Sequence, residues 1–349
     1  MTEQNDTVLI SYTEAKTFCK ELLLRVGLDD FSSHHVAESL MQASLQGVDS
    51  HGIMRLPTYL RLYPQMKRER PEVVEDRKAT ALIDGHNNVG FSCAAQAMCL
   101  AIEKAKTYGI GFVGVKNSSH FGAAGYYSAM APKENMIGFA FTNAFPRIPP
   151  WGGKDSLLGI NPWSYAFPSR GAFPILLDIS NTVVSVGKIR MAALKGEKIP
   201  LTWATDLSGE PTDDPLTALN GLLRPIGDYK GYGISFIMDI LCGVLTGSGF
   251  SDIVKPIEND KQLVGHILGA VDIEAFMPLE EFYDRLDQLV DKMKKTSRLK
   301  EDSCVYIPGE IEYLVSQERM KNGIPIPKTL FNELNSMAND LEGPMLCCL

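Results

Sequence analysis

The chain has 349 residues, 45% of them hydrophobic and 22% charged, and carries a formal net charge of −8. That length implies one large or two interleaved domains, and the acidic balance argues against a nucleic-acid partner, which normally requires a basic face. No apolar run reaches the roughly 18 residues that span a bilayer and the polar residues 1–7 do not read as a secretory signal, so a cytoplasmic protein without membrane association is expected.

Ser11-Tyr12-Thr13-Glu14 is a capping box, and the helix it opens should run to Val26-Gly27. A second helix is expected from Ser32 or Ser33 to Gln46, with Gly47 as its stop. Residues 67–78 are charged, contain Pro71 and read as a connector. Ala81-Leu82-Ile83-Asp84-Gly85 predicts a short strand and turn, residues 91–106 an alanine-rich helix suited to close packing, and residues 110–115 a buried strand. A helix over 123–131 and a strand over 137–141 continue the alternation, which implies a three-layer α/β core.

Residues 145–168 hold five prolines and three glycines and are expected to form a long irregular loop packed over a functional region. A strand over 174–178, an amphipathic helix over 182–194 and a nearly all-apolar, centrally buried helix over 234–245 should follow. Residues 252–262 read as a polar loop, 267–273 as a strand, 279–295 as a charged surface helix, and 305–310 as a strand running into a turn. Two amphipathic segments close the chain.

The seven cysteines (Cys19, Cys93, Cys99, Cys242, Cys304, Cys347 and Cys348) include no CxxC pair, and their scatter through apolar segments reads as reduced core thiols. A prenylation box needs cysteine fourth from the end, where this chain has Leu346, so the tail is expected to be unmodified. The six histidines (His34, His35, His51, His86, His120 and His266) make no ligand triad in sequence, and no metal is expected.

One stretch concentrates chemistry: Asp49-Ser50-His51-Gly52-Ile53-Met54-Arg55-Leu56-Pro57-Thr58-Tyr59. His51, Arg55 and Tyr59 are four apart and would share a helix face, although Pro57 fits only in or just before a first helical turn. The segment could supply a proton donor, an anion clamp and a phenol; it equally describes a polar inter-helix turn with a surface Arg and a buried Tyr. Gly109-Ile110-Gly111-Phe112-Val113-Gly114 matches a dinucleotide-binding glycine pattern, but a helix precedes it and a strand follows, the reverse of what that fingerprint requires. Asn117-Ser118-Ser119-His120-Phe121-Gly122-Ala123-Ala124 follows the end of a predicted central strand, where open α/β sheets place ligands, and its helix-start amides could hold a phosphate. His120 there is an acid/base candidate or a polar helix-entry residue. Lys230-Gly231-Tyr232-Gly233 sets a cation against the dipole of a helix start, a conflict that an anionic ligand would relieve. No G-x-S-x-G elbow is present, which argues against an ordinary α/β-hydrolase.

In this order, the pieces resemble the malate/L-lactate dehydrogenase family that is distinct from the common Rossmann-type enzymes. That family also includes ureidoglycolate, sulfolactate and diketogulonate oxidoreductases and an imino-acid reductase. The matching stretches are Asp49-Ser50-His51-Gly52 with Arg55 and Tyr59, Ser119-His120-Phe121-Gly122, and Trp151-Gly152-Gly153. Gly159-Ile160-Asn161-Pro162, Asp178-Ile179-Ser180, Lys230-Gly231-Tyr232-Gly233 and Pro308-Gly309-Glu310 complete them. The resemblance implies an α/β fold with a mixed sheet and a non-Rossmann NAD(P)-binding core. Residues 1–78 would form a helical segment carrying substrate-side groups, 79–310 the cofactor-binding and catalytic core, and 311–349 a helical C-terminal segment.

The same resemblance implies a two-electron oxidoreductase using NAD, with NADP as the alternative, and working as a homodimer on a small carboxylate. Ser50 would orient His51; Arg55, Tyr59 and Asn143 would face the substrate; the proton donor would be His51 or His120. Cofactor contacts would come from His120, Phe121, Gly122, Ala123 and Ala124, from Asp178, Ile179 and Ser180, from Lys230, and from Gly309 and Glu310. Ala144 lacks the hydroxyl that a ureidoglycolate-type contact would use. The residues suit the chemistry in their own right, because an imidazole can protonate a carbonyl oxygen reversibly and a guanidinium can clamp a carboxylate. His51 is the favoured donor because Ser50 and Arg55 stand beside it. Malate/oxaloacetate is the expected pair, with ureidoglycolate, L-lactate, L-sulfolactate or a cyclic imine as alternatives and a nucleotide-binding protein without turnover as the non-enzyme reading.

Overall fold

The computed structural model describes residues 7–66, 69–300 and 302–349. Strand β1 (Thr7–Ile10) leads into α1 (Tyr12–Arg25), capped by Ser11 as its box predicts, and α2 (Asp30–Leu45), capped by Asp29. Two single 3-10 turns, Asp49–His51 and Ile53–Arg55, precede α3 (Leu56–Leu62), which carries Pro57 in its first turn. Then come β2 (Glu72–Arg77), β3 (Thr80–Asp84), α4 (Gly90–Tyr108), β4 (Ile110–Ser118), α5 (Ala124–Ser128) and β5 (Met136–Thr142). The hairpin β6 (Pro146–Ile148) and β7 (Leu158–Gly159) is followed by β8 (Trp163–Phe167), β9 (Ile175–Ile179) and α6 (Val186–Lys195). Beyond these lie β10 (Ala204–Thr205), α7 (Pro215–Asn220), β11 (Leu222–Leu223) and α8 (Tyr229–Asp239), which continues as a π-helical turn, Ile240–Val244. The chain ends with β12 (Val264–Asp272), α9 (Leu279–Lys294), α10 (Glu310–Asn322), β13 (Ile324–Pro327) and α11 (Lys328–Asp340).

Seven strands form one mixed sheet in the order β2-β3-β4-β12-β5-β8-β9, parallel only between β3 and β4. One face packs on α4 and α5 through Ala94, Ala97, Met98, Ala101, Val113 and Leu268. The other meets α8 and its π turn through Phe139, Phe141, Cys242 and Ile267, which completes the three expected layers. The glycines of the 109–114 stretch serve this packing. Gly109 ends α4 in the left-handed region at φ 81°, and a Cβ on Gly111 would lie 1.9 Å from the Ala101 carbonyl oxygen.

A second core joins the two ends of the chain: Phe18, Leu22, Leu40, Leu56 and Tyr63 pack with Ile324, Ile326, Leu330 and Leu334. Pairing of β1 with β13 and the Leu349 amide on the Leu9 carbonyl (2.9 Å) fasten it.

Several expectations need correcting. Within the 67–78 connector, Lys67 and Arg68 lie outside the described residues, but Glu72–Arg77 is the edge strand of the main sheet. Its charged side chains are what a solvated edge carries. The 145–168 loop contains a hairpin and the ordered strand β8, whose prolines mark the strand ends rather than irregularity. The 182–194 helix begins at Val186, because Thr182 bridges to Pro225 and Ser185 supplies the cap. The 123–131 helix stops at Ser128; 305–307 joins no strand, and the turn at 308–309 that follows is held to β9 by the Leu176 amide on the Pro308 carbonyl (3.1 Å).

The apolar 234–245 helix is buried only along Ser235, Asp239, Cys242 and Gly243; Phe236, Ile237, Val244 and Leu245 stay exposed. Of the cysteines, Cys19, Cys93 and Cys242 are buried, whereas Cys99, Cys304, Cys347 and Cys348 are exposed; all seven are free.

Strand β12 runs antiparallel between β4 and β5 and leans on the π turn at Gly265, where a Cβ would sit 1.7 Å from the Cys242 carbonyl oxygen. Backbone cannot rotate aside as a side chain can. Gly265→Ala should therefore destabilise the fold by about 2–4 kcal/mol, read as a lowered urea midpoint; an unchanged midpoint would refute this packing.

Candidate active site

The 49–59 stretch reaches the 118–122 turn through three rings. His51 and His120 lie parallel, ring centroids 5.9 Å apart and planes 14° from coplanar. Tyr59 approaches His120 from α3, its hydroxyl 2.8 Å from Nδ1. The local chain explains the placement. Gly52, with no side chain, packs directly on Ser44, and the Ser44 hydroxyl accepts the Ile53 amide at 2.8 Å. That pins the two 3-10 turns against α2, and Pro57 then starts α3 with Tyr59 pointing inward.

Around His51, the Ser50 hydroxyl lies 3.0 Å from Nδ1, and Arg55 Nε donates to the Ser50 carbonyl at 2.9 Å. With Nε engaged, the two Nη groups of a half-buried guanidinium are available for an anion. Around His120, the backbone amide donates to Gln262 Oε1 at 2.7 Å and the Gly122 amide donates to Nδ1 at 3.2 Å. Behind it, His266 is fully buried, with Nδ1 2.8 Å from the Thr142 hydroxyl and Nε2 2.8 Å from the Ser118 hydroxyl. Phe121 stacks on the His266 ring at 4.5 Å.

Desolvation decides the charge of all three imidazoles. It lowers His51 to about 4, with the Arg55 charge adding to the effect, and His266 to about 3. It drives His120 well below the ordinary histidine range, helped by His51, Arg55 and His266. Burial raises the Tyr59 phenol, which stays protonated.

The remaining expected residues fall into two groups. Strand β9 gathers most of the residues expected to meet a cofactor. Asp178 accepts the Gly125 amide at 2.7 Å, Asn181 just past β9 accepts the Ile226 amide ahead of Lys230, and Leu176 holds the Pro308-Gly309 turn. Gly309 adopts φ +90°, with its Cβ position 3.2 Å from Leu176. Phe121, Gly122, Ala123 and Ala124 lie between His120 and this strand; Ile179 and Ser180 end it, with Ser180 Oγ 3.2 Å from the Thr182 hydroxyl.

Three residues have partners within the chain at places where a ligand is expected. The Gly125 amide is capped by Asp178, so the anion place at that helix start is filled by the protein's own carboxylate. Glu310 pairs with Lys294 and accepts the Ile307 amide. Asn143 is 1% exposed and fully engaged, accepting the Gly265 amide and donating to Asp239 and the Gly249 carbonyl, so it braces the wall and does not line the cleft.

Four contributors carry no motif signal. Gln262 holds the His120 backbone, and Arg319 clamps Asp49 from α10 at 2.6 Å. Asn181 receives the Trp163 indole N–H at 2.9 Å, and Gly187 packs on Ser50, where a Cβ would come within 2.8 Å. Among the described residues no cluster of three His, Cys, Asp or Glu side chains is arranged to hold a metal.

A pair of half-buried neutral imidazoles beside a guanidinium is an arrangement that can move a proton on an anionic molecule. Comparison with known proteins specifies which. The chain matches the malate/L-lactate dehydrogenase family over residues 10–335 and belongs to it. It is 38% identical over 347 residues to the malate dehydrogenase of Pyrococcus abyssi, covering 95% of this chain and 94% of that one. It is also 38% identical to the malate/(S)-sulfolactate dehydrogenase of Methanothermus fervidus, covering 96% and 98% of the two chains. The crystal structure of malate dehydrogenase from Entamoeba histolytica superposes with a TM-score of 0.93 at 30% identity, covering 97% of this chain and 99% of that one. The protein is thus a dehydrogenase acting on hydroxy acids, with a nicotinamide cofactor.

The depressed imidazoles carry a consequence for stability. In the unfolded chain His35, His51 and His266 take up protons near pH 6.5, whereas burial holds the folded rings neutral down to about 4, about 4 and about 3. The unfolded state binds more protons in that window, so their contribution is complete above about pH 6.5 and is lost on acidification. The thermal midpoint should fall steadily from about pH 6.5 to about pH 4, and His35→Gln should flatten that fall. A midpoint independent of pH would contradict neutral rings.

Proposed function

We propose that the protein interconverts malate and oxaloacetate, using NAD, with Arg55 binding the substrate carboxylate and His51 moving the proton. The observation that carries this reading is the parallel placement of His51 and His120 at 5.9 Å beside the Arg55 fork. Ser50 orients His51 through its Nδ1 contact. A bound carboxylate pairs with the Arg55 Nη groups and offsets the charge that disfavours imidazolium, so substrate binding itself raises the proton affinity of His51.

The cofactor, when bound, supplies or accepts the hydride. The chain's donor set fits such a group. Lys230 is exposed at the start of α8 and suits a phosphate, while the Asp178 carboxylate suits ribose hydroxyls. A carboxylate at this place favours NAD over a cofactor with an additional ribose phosphate. His120, Phe121, Gly122, Ala123, Ala124, Ile179, Ser180, Gly309 and Glu310 complete the proposed wall. Residues 1–78 contribute the substrate side and 79–310 the cofactor side, with 311–349 closing on the first through the shared core of Leu22, Leu56, Ile324 and Leu330. Seven free thiols accord with a cytoplasmic location.

The exposed side of α8 supports a homodimer. Phe236, Ile237, Val244 and Leu245 are 48–61% exposed along the outer side of α8 and its π turn, whereas Ser235 and Asp239 are buried, the pattern of an apolar edge covered by another surface. Val244→Glu should convert a dimer into a folded monomer, read by light scattering with circular dichroism; a monomeric parent protein would refute the dimer.

Activity is tested with a panel of 2-oxo acids and both reduced nicotinamides, followed at the nicotinamide absorbance. Oxaloacetate with NADH should be the best pair, and Arg55→Met should raise KM about a hundredfold, the scale of a lost charged hydrogen-bond pair. His51 of the free enzyme is protonated only below about 4, so kcat/KM for reduction should fall with rising pH through neutrality, and that for oxidation should not. Retention of the same fall in the reduction profile by His51→Gln would refute His51 as the proton carrier.

A further inference from the structure

The two facing imidazoles differ in what their Nδ1 atoms meet. His120 Nδ1 receives the Gly122 amide at 3.2 Å, and a backbone N–H can only donate. That nitrogen must therefore present its lone pair. The Tyr59 hydroxyl at 2.8 Å must then donate to it as well, because the phenol is protonated and faces the same atom. The single proton of the neutral His120 ring is left on Nε2. Moving a proton onto Nδ1 would set it against the Gly122 N–H. Charging the ring would add a cation to a site that already holds Arg55. His51 is under no such constraint. Its Nδ1 meets a Ser50 hydroxyl, which rotates to donate or accept and so tolerates either protonation state.

We propose that His120 acts as a permanently neutral hydrogen-bond donor that polarises the substrate carbonyl through Nε2–H and keeps its proton. Tyr59, 1% exposed and reaching only the back of that ring, is in this account a positioning residue that selects the tautomer together with the Gly122 amide; it does not touch substrate. The proposal rests on the dehydrogenase reading for its substrate but not for its tautomer. In the reduction direction the hydride adds to C2 of the 2-oxo acid and the carbonyl π pair moves onto oxygen. The oxygen takes the proton of the His51 imidazolium, whose N–H bonding pair stays on nitrogen. Throughout, His120 donates the same hydrogen bond to that oxygen, as a preorganised donor to developing charge.

The tautomer is read directly by nitrogen-15 magnetic resonance of the full-length protein labelled at histidine, with His120 assigned by difference from His120→Asn. Between about pH 6 and 8, the window of an ordinary histidine, Nδ1 of His120 should report an unprotonated nitrogen and Nε2 a protonated one. A protonated Nδ1 or a charged ring would overturn the proposal, whatever the substrate proves to be. Kinetics with the best 2-oxo acid test the roles. His120→Gln, which retains a donor, should lower kcat about a hundredfold while preserving the pH dependence of kcat/KM, whereas His51→Gln should abolish that dependence. Tyr59→Phe should lower kcat about tenfold with KM moving less than about threefold. A rise in KM at constant kcat would make Tyr59 a substrate contact and overturn its positioning role. Loss of the pH dependence in His120→Gln and its retention in His51→Gln would reverse the two histidines. Absence of turnover across the panel would overturn the dehydrogenase reading and leave the tautomer to the resonance measurement.

Discussion

An imidazole taken out of water must be paired with a carboxylate or remain neutral, and this site is built on the second solution. Among the described residues the partners of His51, His120 and His266 are uncharged, including the Ser50, Tyr59, Thr142 and Ser118 hydroxyls, the Gly122 N–H and the Ser119 backbone. A carboxylate beside any of them would stabilise the imidazolium and fix a charge in the cleft. In the proposed reaction, neutral partners leave the charge to be supplied by the substrate, so that a proton enters the site together with the anion that requires it. Arg55 disfavours protonated His51, and in that reaction a carboxylate bound to Arg55 would remove the penalty.

The rest of the fold can be understood as support for this dry arrangement. The ring of His120 is fixed from α3 by Tyr59 and its backbone from the 252–262 loop by Gln262. Phe121, next in sequence, is stacked on His266 of the central strand β12. The segment carrying His51 is tied to the far end of the chain by Arg319, which reaches Asp49 and the Ser44 carbonyl. Arg319 is a largely buried cation whose partner is held in place, unlike the surface pairs elsewhere that contribute little. The His51 segment is thus positioned from both ends of the chain, and the Gly125 and Pro308-Gly309 turns by β9, the last strand of the sheet.

Much of this was legible in the sequence. The strands 110–115, 137–141 and 267–273 announced themselves by apolar runs bounded by glycine or turn residues, and the alternation implied the three layers. His51, Arg55 and Tyr59 stood out by spacing, and the reversed context of Gly109 to Gly114 excluded a Rossmann turn. What could not be read was whatever depends on partners remote in the chain. Tyr59 and His120 are 61 positions apart, and nothing in a four-residue spacing reveals that the phenol points at an imidazole instead of a ligand. The resemblance implies a substrate contact for Asn143, whereas its amide is consumed by three backbone and side-chain partners from 96 to 122 positions away. The helix over 234–245 was misplaced for a different reason: an all-apolar helix announces burial, but not which molecule does the burying.

That last ambiguity bears on the site itself. Buried Ser235 and Asp239 face inward on α8, and each is tied to the loops that follow the sheet: Ser235 donates to the Gly159 carbonyl at 3.2 Å, and Asp239 accepts from Asn143 and from the Ser251 amide at 2.8 Å. The same helix begins at Lys230 and carries the exposed Phe236, Ile237 and Val244 on its outer side. One element therefore joins a cationic end, a polar inner edge braced against the site wall, and an apolar outer edge. Covering the outer edge would hold α8 rigid along its length and fix Lys230 relative to β9 through the Ile226–Asn181 contact. In the proposed dimer, association and cofactor placement would be linked through this one helix.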